Sequence, residues 1–269
     1  MSSTFAERLD HERTFHNHLQ REPLTYRMVR VASEVFYNKD DDGVLWGPVW
    51  RILDLHNKIV LDYGCGSGGF SCSLARRGAR VYGTDISEYL VSLARAESGR
   101  ANLAVRFSVG DAHRTEFPSA MFDYVFGNGI LHHLDLPKAY LEIARVLKPG
   151  GKAYFMEPLI GHPLVQFFRW ATPGRRTEDE RPLDFAAVES ARLAGLQPVC
   201  RTHYLTAVAA LPGVLLGKPF AKRAVRGFDA LDQVLFRIAP GLRKHAWLSV
   251  VEFTRLDPGT VPPKNNMRV

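Results

Sequence analysis

Residues 59–69, Ile-Val-Leu-Asp-Tyr-Gly-Cys-Gly-Ser-Gly-Gly, predict how this part of the chain folds. An apolar strand runs into the acidic residue Asp62 and then into a turn with glycines at positions 64, 66, 68 and 69. Glycine adopts positive φ at little cost and lets a ligand lie directly against the main chain. The next segment, 67–77, is predicted to be a helix whose first N–H groups face that ligand.

A second predicted strand, 79–83, ends just before Asp85, which lies 21 residues beyond Gly64. At this position a carboxylate can accept hydrogen bonds from both hydroxyls of a ribose. The glycines also satisfy the dinucleotide pattern G-x-G-x-x-G. Asp62 counts against a dinucleotide, because a carboxylate is poorly placed beside a pyrophosphate and suits a ligand with a cationic amino group. The residues therefore predict a nucleoside-containing cofactor.

Six motifs follow one another in order between Ile59 and Pro158. They are Leu-Asp-Tyr-Gly-Cys-Gly-Ser-Gly (61–68), Gly-Thr-Asp-Ile-Ser (83–87), Gly-Asp-Ala (110–112), Phe-Asp-Tyr-Val-Phe (122–126), Leu-His-His-Leu (131–134) and Leu-Lys-Pro-Gly-Gly (147–151). In these motifs the chain resembles class I S-adenosylmethionine-dependent methyltransferases, in the small-molecule branch that includes quinone and secondary-metabolite methyltransferases. The cofactor that the resemblance implies is S-adenosyl-L-methionine.

The resemblance also implies a set of cofactor contacts. These residues are Asp62, Gly64, Cys65, Gly66, Gly68, Asp85, Ile86, Asp111, Ala112 and Asn128. In the family, the glycine turn contacts the methionine part, Asp85 takes the ribose hydroxyls, and Ile86 lies against the adenine ring. Asp111 and Ala112 lie at the adenine edge, and Asn128 contacts the methionine amino group.

Strands and helices alternate along the chain. They are predicted at 58–62, 79–83, 103–108, 122–127, 151–157, 197–203 and 247–254 for strands, and at 67–77, 87–98, 136–147 and 183–194 for helices. The alternation predicts an α/β fold with a doubly wound, mostly parallel sheet that binds ligands at the carboxyl ends of its strands. The resemblance implies a seven-stranded, Rossmann-like sheet with a helical cap.

We expect four segments: an N-terminal helical lid (1–50), the S-adenosylmethionine-binding core (51–158), the C-terminal part of the core (159–256) and a flexible tail (257–269). An insertion at 204–245 precedes the last strand, and its apolar residues from Phe228 to Ile238 recur at helical spacing. A helix there is predicted to cover its own domain and to wall an apolar acceptor pocket. The expected lining is Phe167, Phe168, Trp170, Leu205, Leu211, Val214, Leu215, Leu216 and Phe220.

Methyl transfer depends mainly on placing the acceptor in line, about 3 Å from the methyl carbon. A phenol, enol or carboxyl acceptor also has to lose a proton, and histidine suits that task. His132 and His133 follow the fourth strand, and Glu157 ends the fifth. We therefore expect a general base among these three. Each also has a structural interpretation, since the histidine pair can shape its loop and Glu157 can anchor one.

Composition bears on the other classes of function. The net charge is +7 and the pI is near 9.4, but most basic residues are scattered. Where base-methylating enzymes carry Asn-Pro-Pro-aromatic, this chain has Asn128-Gly129-Ile130-Leu131, which argues against methylation of an amino base. No nucleic-acid partner is expected. Basic residues beside the apolar segment 204–226 leave a peripheral membrane contact open.

Three cysteines, at positions 65, 72 and 200, are too few for a disulfide framework, and no metal-ligand spacing is visible. We therefore expect reduced cysteines, a cytoplasmic location and no metal. The longest apolar run, Tyr204–Gly217, is too short to span a bilayer, and residues 1–13 do not resemble a secretion signal. The oligomeric state is left open.

The predicted function is methyl transfer from S-adenosylmethionine to an oxygen of a small, largely apolar acceptor, such as a quinone or a polyketide-like or other secondary metabolite. Three alternatives stay open at this point. They are C-methylation of an activated ring, a cofactor-binding protein without transfer activity, and a nucleic-acid methyltransferase.

Overall fold

The computed structural model describes residues 14, 35–37, 43–171, 181–207, 209–210 and 216–257. The side chains of residues 164, 168, 169 and 171 are also outside the description. Most of the predicted lid, nearly all of the predicted tail, and Phe168, Leu211, Val214 and Leu215 of the predicted acceptor lining therefore lie outside the described residues.

Seven strands form one sheet. They are β1 (Ile59–Tyr63), β2 (Arg80–Asp85), β3 (Val105–Val109), β4 (Phe122–Asn128), β5 (Leu147–Pro158), β6 (Leu196–His203) and β7 (Leu248–Arg255). The strand order is β3-β2-β1-β4-β5-β7-β6, and β7 runs in the direction opposite to the other six strands. The predicted α/β class and mostly parallel, seven-stranded sheet are confirmed. Because β1 to β6 are mutually parallel, their carboxyl ends meet at one edge.

Helices cover both faces of this sheet. They are α1 (Gly47–Trp50), α2 (Gly69–Arg76), α3 (Glu88–Arg100), α4 (Leu136–Val146), α5 (Pro163–Ala171), α6 (Phe185–Glu189) and α7 (Lys218–Ile238), with 3₁₀ turns at Leu131–His133, Ser190–Ala194 and Pro240–His245. Side-chain caps start several of them where the sequence provides a short polar residue. Ser87 Oγ accepts from Leu90 N at the start of α3, and Asp184 Oδ1 accepts from Ala187 N at the start of α6.

Two apolar cores flank the sheet. In the first core, Trp46, which directly precedes α1, and Trp50, which ends α1, stack with their ring centroids 5.3 Å apart. Both rings also pack against Phe70 of α2 and Phe126 of β4. The second core includes Tyr140 of α4, which is fully buried. Burial of each such large side chain contributes about 1.5–3 kcal/mol to folding. The first core fixes α1 beside the carboxyl edge, and this position matters for the site.

The helix predicted in the insertion is confirmed as α7, but its apolar stripe forms only part of the buried face. Leu231, Val234 and Ile238 are exposed, whereas Ala221, Val225, Asp229, Asp232 and Phe236 are buried. The buried carboxylate of Asp232 accepts hydrogen bonds from the backbone N–H groups of Leu205 and Thr206 and from the Thr206 hydroxyl. Of the predicted stripe, Phe228 packs against the first core, so hydrophobic spacing identified only part of the buried face. Buried polar contacts to the backbone also orient this helix.

Candidate cofactor and acceptor site

The glycine turn between β1 and α2 is held against β2. The backbone N–H groups of Gly64 and Cys65 both donate to the Thr84 carbonyl at 2.9 Å. Gly64 has φ +75°, and a Cβ on it would lie 2.7 Å from Cγ1 of Ile130. Gly68 has φ +81°, and a Cβ there would lie 2.8 Å from the Cβ of Ala94 in α3. Both positions therefore require glycine, Gly64 for close approach to the loop after β4 and Gly68 for helix packing.

Asp85 ends β2 with its carboxylate directed at two backbone N–H groups. Its Oδ2 accepts from Gly66 N at 2.8 Å, and its Oδ1 accepts from Ser87 N at 2.9 Å. An ionised carboxylate offers about four acceptor positions, so roughly two remain. The same residue thus shapes the glycine turn and keeps acceptor capacity on the cavity wall.

A cavity of about 190 Å³ opens at the carboxyl edge of the sheet, and it is called the cofactor cavity below. Its described lining is Gly64, Gly66, Thr84, Asp85, Ile86, Leu90, Gly110, Asp111, Ala112, Asn128, Gly129, Ile130, His133 and Leu134. The predicted cofactor residues Gly64, Gly66, Asp85, Ile86, Asp111, Ala112 and Asn128 all belong to this wall. Four separate loops of the sequence therefore meet at one place.

Three predicted cofactor residues are not part of that wall. Asp62 is buried, and its Oδ2 accepts from Ser71 Oγ at 2.5 Å. Cys65 is buried behind the turn, and burial, with Asp62 and Asp85 nearby, raises the pKa of its thiol, which stays protonated. Gly68 faces α3. These residues support the turn from behind.

Asp111 is fixed by a histidine that the sequence reasoning missed. His113 Nδ1 lies 2.7 Å from Asp111 Oδ1, and His113 Nε2 accepts from Asp135 N at 2.9 Å. Since Nε2 accepts, the imidazole is neutral and Nδ1 carries the proton. Burial raises the pKa of Asp111, but the hydrogen bonds from His113 outweigh it and the net pKa is lowered. Asp111 is therefore ionised at neutral pH.

The side-chain amide of Asn128 has one partnered end and one unpartnered end. Trp46 Nε1 donates to Asn128 Oδ1 at 3.1 Å, while Asn128 Nδ2 is buried with no hydrogen-bond partner. An indole N–H can only donate, so it fixes which end of the amide is the oxygen. The group left for a ligand is consequently a donor.

The loop after β4 is fastened by Glu157, which the structure places below the loop and not on the cavity wall. Glu157 is fully buried; its Oε1 accepts from Ile130 N at 2.9 Å and from Leu131 N at 2.8 Å. Its Oε2 accepts from His132 Nδ1 at 2.7 Å. His132 is also off the described wall, whereas His133 lines it, with its ring 4.1 Å from that of His132. Of the three candidate bases, His133 alone faces the cavity.

Several further wall residues belong to, or lie directly beside, motifs already recognised in the sequence. Gly129, Ile130 and Leu134 flank the histidine pair, and Gly110 precedes Asp111. Reading these motifs as whole loops, and not as single polar residues, would have found them. Tyr63 and Trp46 support the wall through Ala112 O and Asn128, respectively, and no local sequence signal indicates either pairing.

The predicted acceptor lining is described only in part. Phe167 and Trp170 of α5, Leu216, and Phe220 of α7 are exposed, and Leu205 packs against the second core. None of these five belongs to the described wall of the cofactor cavity. In the part of the chain that is described, there is no cluster of three or more metal-ligating side chains. Among the same residues, no helix is long and apolar enough to cross a membrane.

Comparison with known protein families identifies a domain within this fold. Residues 61–155 match the family model described as a methyltransferase domain. The segment 61–155 is therefore a methyltransferase domain.

Particular relatives can also be named. The chain is 34% identical over 104 residues to a ubiquinone biosynthesis O-methyltransferase of Coxiella burnetii (strain Dugway 5J108-111). The matched stretch covers 38% of this chain and 44% of that protein. It is 37% identical over 101 residues to a demethylmenaquinone methyltransferase of Deinococcus radiodurans, covering 36% and 42%. The matched stretch thus spans less than half the length of each. Among solved structures, geranyl diphosphate C-methyltransferase from Streptomyces coelicolor A3(2) shares the fold, with a TM-score of 0.60 and 16% identity over 91% of this chain and 88% of that one.

Proposed function

We propose that this chain binds S-adenosylmethionine in the cofactor cavity and transfers its methyl group to an oxygen of a small, largely apolar acceptor. The observation that carries the proposal is that Asp85 and Asn128, whose Nδ2 has no hydrogen-bond partner, belong to the same cavity wall. These groups suit two polar parts of the cofactor, the ribose hydroxyls and the methionine carboxylate. The carboxylates of Asp85 and Asp111 also give this wall a negative charge that favours a cationic ligand.

Asp85 would hold the ribose, because its acceptor capacity is only half used by Gly66 and Ser87. Ile86, Leu90 and Ala112 would enclose the adenine with apolar contacts. The family resemblance assigns Asn128 to the methionine amino group, but a buried N–H donor needs an acceptor. We therefore assign Asn128 Nδ2 to the methionine carboxylate.

Bound S-adenosylmethionine supplies an electrophilic methyl group on a sulfonium leaving group. The chain's own contribution is to place an acceptor oxygen in line with that methyl group and to accept its proton. His133 is the proposed base, because it lies on the cavity wall. The His133 imidazole would accept the proton that the acceptor hydroxyl loses when its oxygen takes the methyl group, and S-adenosylhomocysteine would be the other product. His132 and Glu157 are proposed as positioning residues that fix the loop carrying His133.

The quinone-related names of the curated relatives support a phenolic or quinol acceptor of small size. The test incubates the purified protein with S-adenosylmethionine and a panel of quinols and phenols. Mass spectrometry should detect a product heavier by one CH₂ unit, and NMR should place the methyl group on oxygen. A methyl group on ring carbon would select C-methylation instead. Tight S-adenosylhomocysteine binding without any methylated product from the panel would refute the proposed acceptor class.

A matched pair of variants tests the binding assignments. Asp85→Asn keeps the size of the side chain and should weaken S-adenosylhomocysteine binding by about 1.5–3 kcal/mol, the value of a hydrogen bond to a charged group. Asp54→Asn, at an exposed carboxylate outside the cavity, is the control. Calorimetry that gives equal affinities for the two variants would contradict the role of Asp85.

A further inference from the structure

A second cavity is lined by residues of α1, the edge strand β6 and α7. It has a volume of about 770 Å³. Its described lining is Gly43, Val44, Pro48, Arg51, Val199, Cys200, Arg201, Thr202, His203, Arg226, Asp229, Ala230, Gln233 and Arg243. None of these residues lines the cofactor cavity. This second cavity is called the arginine cleft below.

Basic side chains outnumber acidic ones in the described lining of the arginine cleft. Arg51, Arg201, Arg226 and Arg243 belong to its lining, against the carboxylate of Asp229. That carboxylate is occupied by His203, whose Nδ1 lies 3.1 Å from Asp229 Oδ1.

Arg201 contacts a carboxylate behind the wall, but that carboxylate is shared. Arg201 Nη1 lies 3.4 Å from Glu252 Oε2, whereas Lys152 Nζ lies only 2.6 Å from Glu252 Oε1. Lys152 is thus the closer partner of Glu252, and two cations share its one negative charge. The contact of Arg201 with Glu252 is therefore the weaker of the two.

Two polar atoms in this wall point to a ligand. The Oγ1 of Thr202, a residue only 1% exposed, and the Nε of Arg243 are both buried without a hydrogen-bond partner. Leaving such a group unsatisfied costs about 1–3 kcal/mol. The Arg243 guanidinium lies over the ring of Phe236, with 5.5 Å between its Cζ and the ring centroid, which holds its plane in place. Both residues belong to the lining of the arginine cleft.

We propose that the arginine cleft binds the phosphate or diphosphate group of a small soluble molecule, at a site separate from the cofactor cavity. Several guanidinium groups around one cavity match the multiple oxygens of a phosphate, to which arginine donates in pairs. The Thr202 hydroxyl adds a donor of the kind that phosphate oxygens accept. The volume exceeds that of a single phosphate, so the remaining part of such a molecule also has room.

The test titrates the full chain with inorganic pyrophosphate by calorimetry at low ionic strength. We expect saturable binding at one site, which weakens as salt is added because the contacts are ionic. Arg201→Gln and Arg51→Gln should each weaken binding about tenfold or more, as expected when a charged hydrogen-bond donor is lost. Thr202→Val, which keeps the side-chain shape, should weaken it about threefold to tenfold. Arg100→Gln, at an exposed arginine of α3, is the control and should leave binding unchanged.

Each other outcome has a defined meaning. Equal losses for Arg100→Gln and the cleft variants would show diffuse attraction to a basic protein and overturn the proposal. Competition between pyrophosphate and S-adenosylhomocysteine would place the phosphate in the cofactor cavity and also overturn it. Binding to phosphatidylglycerol vesicles but not to pyrophosphate would identify a lipid surface as the partner instead. Unchanged S-adenosylhomocysteine affinity in the cleft variants would show that they are folded and keep this test independent of the proposed function.

Discussion

The role of Glu157 can be decided by comparing two substitutions at that position. If Glu157 fastens the loop after β4, Glu157→Gln should keep much of the protein's stability, whereas Glu157→Ala should not. A glutamine Oε1 can still accept from Ile130 N and Leu131 N, as Oε1 of the native residue does. Its Nε2 can donate to His132 Nδ1, provided that the histidine proton moves to Nε2.

The magnitudes follow from these contacts. Glu157→Ala leaves the backbone N–H groups of the half-buried Ile130 and the buried Leu131 without an acceptor, at about 1–3 kcal/mol each, and also removes the partner of His132. We therefore expect a loss of about 3–5 kcal/mol in the free energy of unfolding. Glu157→Gln exchanges charge-assisted for neutral hydrogen bonds and should lose about 1–2 kcal/mol.

Urea unfolding monitored by circular dichroism measures the loss of unfolding free energy in each Glu157 variant. Methyl-transfer rates on an identified acceptor then show whether Glu157→Gln remains active. For a positioning residue, Glu157→Gln should retain activity within about tenfold, whereas a general base lost to an amide lowers kcat by about 10²–10⁴. His133→Ala provides the matched comparison, with a large loss of kcat and little loss of stability. A stable Glu157→Gln protein as inactive as His133→Ala would refute the assignment of Glu157 to positioning.

Three further perturbations follow from the described contacts. Gly64→Ala should destabilise the protein by about 1–3 kcal/mol, since it strains positive φ and crowds Ile130; an unchanged melting temperature would contradict the close approach. Asp232→Ala should lower the free energy of unfolding by about 2–4 kcal/mol, because it removes the buried acceptor of the Leu205 and Thr206 N–H groups. The control Asp184→Ala removes an exposed helix cap and should cost about 1 kcal/mol. Equal losses for the two variants in urea unfolding would contradict the role of Asp232. Burial raises the pKa of Glu142, but its contacts with Arg145 and Thr115 lower it below 4.5 overall. Its stabilisation is therefore complete above about pH 4.5 and is lost as the pH falls through the lowered pKa, so Glu142→Gln should flatten the acid limb of the stability profile.

Much of the candidate cofactor site was predictable because its residues follow directly from local sequence. A strand that ends in glycines, and an acidic residue at the end of the next strand, have few structural solutions. Seven of the ten predicted cofactor residues line the cavity wall. The other three, Asp62, Cys65 and Gly68, lie behind the turn, because sequence adjacency does not specify which way a side chain points.

The catalytic candidates were less predictable. His132, His133 and Glu157 look equivalent in the sequence, since each follows or ends a strand at the same edge of the sheet. Only the structure separates them, because Glu157 is drawn below the loop by two backbone N–H groups. Likewise, the apolar stripe of α7 predicts a helix correctly but its buried face only in part, because Asp232 binds the backbone of a loop distant in sequence.

The sequence by itself determined the strand–helix alternation, the mostly parallel sheet and the glycine turn with its acidic partner. These features depend on periodicity and on local backbone conformation, which neighbouring residues specify. Only the tertiary structure decided the orientation of the Asn128 amide by Trp46, the separation of Glu157 from His133, and the meeting of four arginines beside β6. Each of these depends on contacts between residues far apart in the chain, because hydrogen-bond direction and burial are set by partners that no local pattern identifies.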